Sequence, residues 1–407
     1  MGTSGGHWVA EVANVSHGKL LAFLAARCHD LAAVEDALAE AYRAGLSQWP
    51  IGAPDEPERW LLTTAKRRLV DAMRRESTRR NKSDAVREFI ELGADEGDRG
   101  EPLGDERLAL MFVCAHPAID AGVRTALMLQ AVLGLDAATI ASAFLVSPAT
   151  MSQRLVRAKT KIRDAGIPFE VPERAGWGER LDAVLEAIYA AFGTGWDEPG
   201  ADERRAGLAG EAIDLGRLVT RLVPDEPEAF GLLALMLFSD SRRRARRVEG
   251  EYVSLEDQEI ERWEAGAIHE AFGALEVGSR LGRLGRFQLE ALIQAAHARR
   301  LFGETVQWEL VAELYRVLVA TWPTIGAHIG RAAAMARVAG PDAGLVILDS
   351  LPPERVAGHQ PYWATRAALL ALAGSGDADA AYTRALGLTE DAATRRFLLQ
   401  RQGRGVA

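Results

Sequence analysis

Ala138-Thr139-Ile140-Ala141-Ser142-Ala143-Phe144-Leu145-Val146-Ser147-Pro148-Ala149-Thr150-Met151-Ser152-Gln153-Arg154-Leu155-Val156-Arg157-Ala158-Lys159 is the stretch that decides the architecture. Its apolar residues recur at three and four, so it predicts a short helix over 138–144, a turn at 145–148 and a second helix from Ala149 onward. Ser147 is placed to accept a hydrogen bond from the second helix's first turn, and Pro148 falls at a first helical position, where its missing N–H costs nothing. Met151, Leu155, Ala158 and Ile162 share one stripe that buries, while Arg154, Arg157 and Lys161 share an adjacent stripe that faces outward. Two helices on a tight turn, with Thr150, Ser152 and Gln153 leading and arginines behind, have the layout of a DNA-reading helix-turn-helix. Amide and guanidinium groups at the leading end reach base edges, and the cations further along neutralise phosphates. The plain alternative is a helical hairpin with a solvated basic face.

Outward from this stretch the same periodicity holds almost everywhere, and no segment sustains strand alternation, so the expected fold class is all-α. Toward the N-terminus, Leu31, Val34, Leu38, Ala41, Tyr42 and Gly45 line one helical stripe, with Glu35, Asp36, Glu40 and Arg43 on the wet side. A further helix over 58–76 carries Leu62, Ala65, Leu69 and Met73 inside and a dense basic edge outside. Between them, 49–54 is a Trp-Pro-Ile-Gly-Ala-Pro breaker. Residues 83–105 dissolve into an acidic, glycine-rich linker, and 166–178 close the second module with Pro168 and Pro172. The expected organisation is therefore a first helical domain at 14–82, a linker at 83–105, a helix-turn-helix domain at 106–165, a linker at 166–178 and a helical array over 179–407.

At 407 residues the chain exceeds one ordinary core. Its net charge of −9 disfavours a protein that coats nucleic acid along its whole length. The charge is unevenly placed: 22 basic residues face 24 acidic ones before Ala175, against 26 and 33 from there on. The front half is nearly neutral and its cations are clumped, one clump running from Arg59 through Lys66, Arg67, Arg68, Arg74 and Arg75 to Arg87, the other comprising Arg154, Arg157, Lys159, Lys161 and Arg163. Two linked basic modules are suited to gripping two separated stretches of one duplex. The helix starting at Trp60 can lie along a phosphate backbone while its aromatic and apolar groups meet unstacked bases; ordinary core packing is the competing role for Trp60.

Other chemistries find less support. Cys28 and Cys114 are too few for a disulfide framework, and with their neighbours His29 and His116 they lack the spacing of a zinc finger. No Gly-rich phosphate loop, His-Glu-x-x-His or Gly-x-Ser-x-Gly occurs, so no catalytic constellation, cofactor or metal is expected. Asp257, Glu259, Glu261 and Glu264 beside Arg262 and Trp263 form an acidic patch that reads as solvated surface. The longest apolar run, Phe230 to Phe238, is too short to span a bilayer, and no charged leader or cleavage pattern opens the chain, so a cytoplasmic location without membrane attachment is expected.

The succession of residues 31–42, Trp60 to Glu76, Leu108 to Ala118 and Ala143 to Lys159 resembles a bacterial RNA polymerase sigma factor of the sigma-70 family. More narrowly it is similar to the extracytoplasmic-function group, in the subgroup whose C-terminal extension resembles tetratricopeptide repeats. Residues 144–169, and Leu222-Val223-Pro224-Asp225-Glu226-Pro227-Glu228-Ala229 with 232–236, carry the most specific likeness. Gly376 to Leu388, with small residues around Tyr382, looks like the second helix of one such repeat, although no clean 34-residue period registers across 179–389.

The resemblance implies two small helical sigma domains followed by a larger helical array. Glu35, Asp36 and Glu40 would dock on the clamp helices of the polymerase's largest subunit. Trp60, Lys66, Arg67, Arg68, Arg74 and Arg75 would meet the minus 10 element. Thr150, Ser152, Gln153, Arg154, Arg157 and Lys161 would read the minus 35 element, with the flap of core polymerase as a further partner. The acidic linker would run through polymerase channels, and the extension would modulate activity. Such a protein is not itself an enzyme: its partners are core RNA polymerase and promoter DNA. The alternative is a helical interaction scaffold whose front half binds DNA weakly.

Overall fold

The structure is a computed structural model that describes residues 4–49, 54–80, 105–144, 146–196 and 203–404. It is all-α apart from one small hairpin, and it divides into two compact units, Met1–Ala212 and Ile213–Ala407.

The first unit comprises α1 (Ser4–Cys28), α2 (Leu31–Gln48), α3 (Pro57–Arg80), α4 (Arg107–Cys114), α5 (Ala121–Leu133), α6 (Ala137–Ala143), α7 (Pro148–Asp164), α8 (Gly178–Trp196) and the start of α9 (Glu203–Leu222). Asp30 caps α2 by accepting from the Ala33 N–H at 3.1 Å, which fixes where that helix starts. Leu31, Val34, Leu38 and Ala41 then bury along one face, as the spacing predicts, against Leu61, Leu62, Ala65 and Leu69 of α3 and Leu20, Leu21 and Leu24 of α1. Helix α1 also packs on α4 and α5, and α2 packs on α7, so the segments 14–82 and 106–165 share one compact unit. The approach of α1 to α5 is close enough to require glycine: a Cβ on Gly18 would stand 2.0 Å from the Val132 carbonyl oxygen.

Residues 166–178 do not behave as the spacer expected from their prolines. Ile167 and Phe169 are buried, and the Trp177 indole N–H donates to the Pro172 carbonyl at 2.6 Å. Arg180, at the start of α8, lies 5.4 Å over the Phe112 ring and donates to the Phe112 carbonyl at 3.2 Å. The apolar side chains between the prolines supply burial that the turn chemistry conceals, and α8 joins the first unit. The acidic stretch 83–105 falls outside the described residues except for Asp105, whose carboxylate takes two hydrogen bonds from the Arg107 side chain at 2.8 and 2.6 Å.

The second unit continues through α10 (Pro227–Asp240), α11 (Arg243–Arg246), the hairpin β1 (Arg247–Val248) and β2 (Glu251–Tyr252), and then α12 (Ala265–Arg280), α13 (Arg286–Ala298), α14 (Trp308–Thr321), α15 (Ile325–Ala339), α16 (Pro341–Asp349), α17 (Pro353–Val356), α18 (Gln360–Leu372), α19 (Ala378–Gly387) and α20 (Ala392–Arg404). Helices adjacent in sequence pack in succession, so that core residues pass from Leu289, Val311 and Leu318 to Ile329, Leu348 and Tyr362 and on to Leu370, Tyr382 and Leu398. The hairpin turns on Glu249 and Gly250, both at positive φ (53° and 80°), the two-residue turn whose twist matches paired strands. Two residues per strand are too few to show alternation, which is why the pair escapes a reading by periodicity.

Candidate nucleic-acid interface

Helices α6 and α7 are set by their caps. Asp136 accepts from the Ala138 and Thr139 N–H groups, both at 2.9 Å, and starts α6. Ser147 accepts from the Thr150 N–H at 3.1 Å, with Pro148 at the first turn of α7. These starts fix the rotation of α7: Met151, Leu155, Ala158 and Ile162 point into the unit. Thr150, Ser152, Gln153, Arg154, Arg157 and Lys161 are all exposed, which brings the residues assigned to minus 35 reading onto one outer surface. Among the described residues, Arg154, Arg157 and Lys161 pair with no carboxylate, so their charge is available to an outside anion. A groove of about 450 Å³ runs between them and the start of α5, lined by Asp120, Gly122, Val123, Arg154, Arg157 and Lys161.

The remaining two cations of that cluster face elsewhere. Lys159 is only 7% exposed and its ammonium contacts the Glu35 carboxylate on α2. Arg163 lies 3.7 Å from Asp30 and 3.1 Å from Asp164. Burial raises the Glu35 carboxyl above its ordinary range, against the opposing pull of Lys159, and Glu35 Oε1 is buried without a hydrogen-bond partner among the described residues. Burial also holds His17 down to about 4, with the Lys159 charge acting in the same direction. In sequence Lys159 belongs to the second basic clump, between the outward-facing Arg157 and Lys161. Its position beside Ala158 and four residues after Leu155, on the edge of the buried stripe, is the signal that separates it from Arg157 and Lys161.

The residues assigned to polymerase docking and minus 10 binding are more entangled. Asp36 and Glu40 are exposed on α2, but Glu40 sits 3.4 Å from Arg68 of α3. Trp60 is half-buried, its ring 5.0 Å from Trp49 and edge-on to it, so packing occupies part of its surface. Lys66 is half-buried with its ammonium 5.5 Å over the Phe23 ring. Arg67 and Arg74 are exposed, whereas the Arg75 side chain lies outside the described residues. The outward cations of α3 and of α7 can each neutralise phosphate, and on α7 the exposed Thr150, Ser152 and Gln153 precede them.

Among the described residues no group of three or more His, Cys, Asp or Glu side chains is placed to hold a metal ion. Burial pushes the Cys114 thiol up to about 12 and the Cys28 thiol up to about 11. Among the described residues no helix is long and apolar enough to cross a membrane.

A family model described as "Family of unknown function (DUF6596)" matches residues 180–278, a stretch that runs from α8 into α12. No solved structure matches the chain. The "Uncharacterized protein R00370" of Rhizobium meliloti (strain 1021) is 38% identical over 372 residues, covering 89% of this chain and 88% of the relative. With that identity over most of both chains, the chain belongs to the same protein family as the Rhizobium protein.

Proposed function

We propose that the chain is a sigma factor: it binds core RNA polymerase, directs promoter-specific initiation in the cytoplasm and leaves catalysis to the polymerase. In this reading α1–α3 form the minus 10 and polymerase-docking part, α4–α7 the minus 35 part, and residues 179–407, from α8 onward, a tetratricopeptide-like extension that modulates activity. The observation that carries it is the Ser147-capped α6–turn–α7 arrangement, with Thr150, Ser152, Gln153, Arg154, Arg157 and Lys161 together on an exposed face. A recognition helix needs that order of features: polar groups near its N-terminus for base edges and cations behind them for phosphates. The nearly neutral stretch before Ala175, with most of the surplus acid placed after it, lets those cations act locally.

The test is reconstitution. Purified full-length protein is mixed with bacterial core polymerase and fragmented genomic DNA, and transcript 5′ ends are sequenced. Recurrent start sites that depend on the protein, preceded by two shared sequence elements, are the expected result. Folded protein that yields no such sites overturns the reading and leaves the interaction scaffold.

A further inference from the structure

Residues 249–261, Glu-Gly-Glu-Tyr-Val-Ser-Leu-Glu-Asp-Gln-Glu-Ile-Glu, carry six acidic side chains and no basic one, and they include Asp257, Glu259 and Glu261 of the acidic patch evident in the sequence. The fold lays this segment on arginines of the second unit. Glu251 pairs with Arg396 at 2.7 Å and Asp257 with Arg401 at 3.1 Å, both on α20, and Glu256 pairs with Arg337 on α15. Arg300, in the turn after α13, donates to the carbonyls of Leu255, Glu256 and Gln258 at 2.7, 3.2 and 3.4 Å. Arg396 donates to the Gly250 carbonyl at 3.0 Å. Arginines from three separate places in the array, between positions 300 and 401, thus converge on one short segment, 250–258.

The surface engages more than charge. Arg300 and Arg396 take main-chain carbonyls, the Tyr252 ring meets Phe397 of α20 edge-on at 5.1 Å, and Arg337 and Arg401 are held over the Trp308 and Phe397 rings at 5.4 and 5.2 Å. Carboxylates, peptide carbonyls and an aromatic side chain in one ligand are the features of a polypeptide, whereas a phosphate backbone offers no peptide carbonyls. The hold is also exchangeable. The side chains of the Glu251–Arg396, Glu256–Arg337 and Asp257–Arg401 pairs are 44–58% exposed, and pairs this wet add little net stability. Within 249–261 Gln258 alone is buried.

We propose that Arg300, Arg337, Arg396 and Arg401 form a docking surface for an acidic segment of a partner protein, and that residues 249–261 occupy it in the free chain as a built-in competitor. The partner's carboxylates replace Glu251, Glu256 and Asp257 on guanidiniums whose N–H groups match carboxylate oxygens. The competitor is tethered on both sides, where Arg247 pairs with Asp391 at 2.8 Å and Trp263 is buried. Tethering gives it a high effective concentration, so a free peptide meets a surface that is mostly taken. Neutralising the competitor's carboxylates opens the surface without altering its arginines. Nothing in this surface depends on the front half binding DNA.

The probe is a fluorescein-labelled peptide of residues 249–261, titrated with the full chain and read by anisotropy. The wild-type chain should bind it weakly, and the triple variant Glu251→Gln, Glu256→Gln, Asp257→Asn about tenfold or more tightly, because apparent affinity scales with the fraction of chains whose surface is open. Adding Arg337→Ala and Arg401→Ala to the triple variant should remove that gain, whereas adding Arg280→Ala, on an exposed arginine paired with Glu276 of α12, should leave it. Should the triple variant fail to fold by circular dichroism, Glu256→Gln alone carries the comparison. Equal affinity in the wild-type and neutralised chains overturns the proposal. So does equally tight binding of a probe whose acids are all replaced by amides, or of a single-stranded oligonucleotide of the same charge. Dimerisation of the wild-type chain in light scattering, abolished by the triple substitution, would assign the surface to a second copy and overturn the partner.

Discussion

Lys159 of α7 holds the carboxylate of Glu35 on α2 across 124 positions of sequence, in a contact that leaves the lysine 7% exposed. Breaking a buried pair leaves one charge without compensation. Lys159→Met should therefore destabilise the first unit by about 3 kcal/mol in chemical denaturation. Adding Glu35→Gln to that variant should recover part of the loss, because the neutral amide no longer needs a cation. The sign with pH is also set. Burial raises the Glu35 carboxyl above its ordinary 4.5, so its ionisation opposes folding as pH rises. The deficit of Lys159→Met should shrink as pH falls toward and below that ordinary value. Additive single and double variants would show that the pair carries no coupling.

Gly18 tests the same interface from the backbone side. A methyl group there would meet the Val132 carbonyl at 2.0 Å, and α1 would have to move off α5. Gly18→Ala should cost about 2 kcal/mol or more, despite alanine's better helix propensity, because overpacking at a backbone contact outweighs that gain. Gly210→Ala, in α9 with nothing within 4 Å of the added carbon, is the contrasting substitution and should be neutral or stabilising. Equal melting temperatures for the two variants would contradict the close approach of α1 to α5.

The helices were legible in the sequence because their information is local. Ser147, Pro148 and the Met151–Leu155–Ala158–Ile162 stripe specify α7 within one short window, and the structure places each as that window implies. Contacts between distant segments left no such trace. Nothing around Glu35 announces that Lys159 will meet it, and Ile167 and Phe169 read as spacer because the prolines beside them dominate the local pattern. Arg242 and Arg246 lie in an arginine-rich run, 242–247, that looks like an exposed charge patch; only the packing of α13 and the turn after it shows that Arg242 is buried.

His17 makes the first unit acid-sensitive. Its folded-state value near 4, against an ordinary 6.5, means that the unfolded chain takes up a proton that the folded chain refuses. The stabilisation is fully present above about 6.5, is lost as pH falls from there to about 4, and changes no further below that, for a total of order 3 kcal/mol. His17→Gln should flatten that part of the stability profile. His297 in the second unit titrates over the same window, so the informative quantity is the difference between wild type and variant, measured by denaturant titration at pH 7, 6, 5 and 4.5. Parallel profiles would remove His17 from the account.

If α7 lies on a duplex as proposed, the salt dependence should count its cations. Arg154, Arg157 and Lys161 are exposed and pair with no carboxylate among the described residues, so each that meets a phosphate releases condensed counterion. Alanine at one such position should lower the slope of log affinity against log salt by about 0.9. Gln153→Ala should instead relax base preference at one position with the slope unchanged. Binding measured by fluorescence anisotropy over a salt series separates the two effects, and unchanged slopes in all three cation variants would place the DNA contact elsewhere.

The Glu35 contact also bears on polymerase binding. If α2 docks on core polymerase as proposed, it needs an available carboxylate at position 35, yet Lys159 occupies it and Arg68 approaches Glu40 nearby. Whatever free energy holds the Lys159–Glu35 pair must be given up when Glu35 turns to the polymerase, and it is subtracted from the affinity of the free protein. A pair worth about 1.4 kcal/mol would lower that affinity tenfold. Lys159→Met, verified as folded by circular dichroism, should therefore bind core polymerase more tightly than wild type, and Glu35→Gln should bind less tightly because it removes the docking charge itself. Opposite signs for substitutions on the two sides of one ion pair are not produced by loss of stability alone. Weaker binding in both variants would mean that α2 docks without releasing Lys159, or does not dock at all.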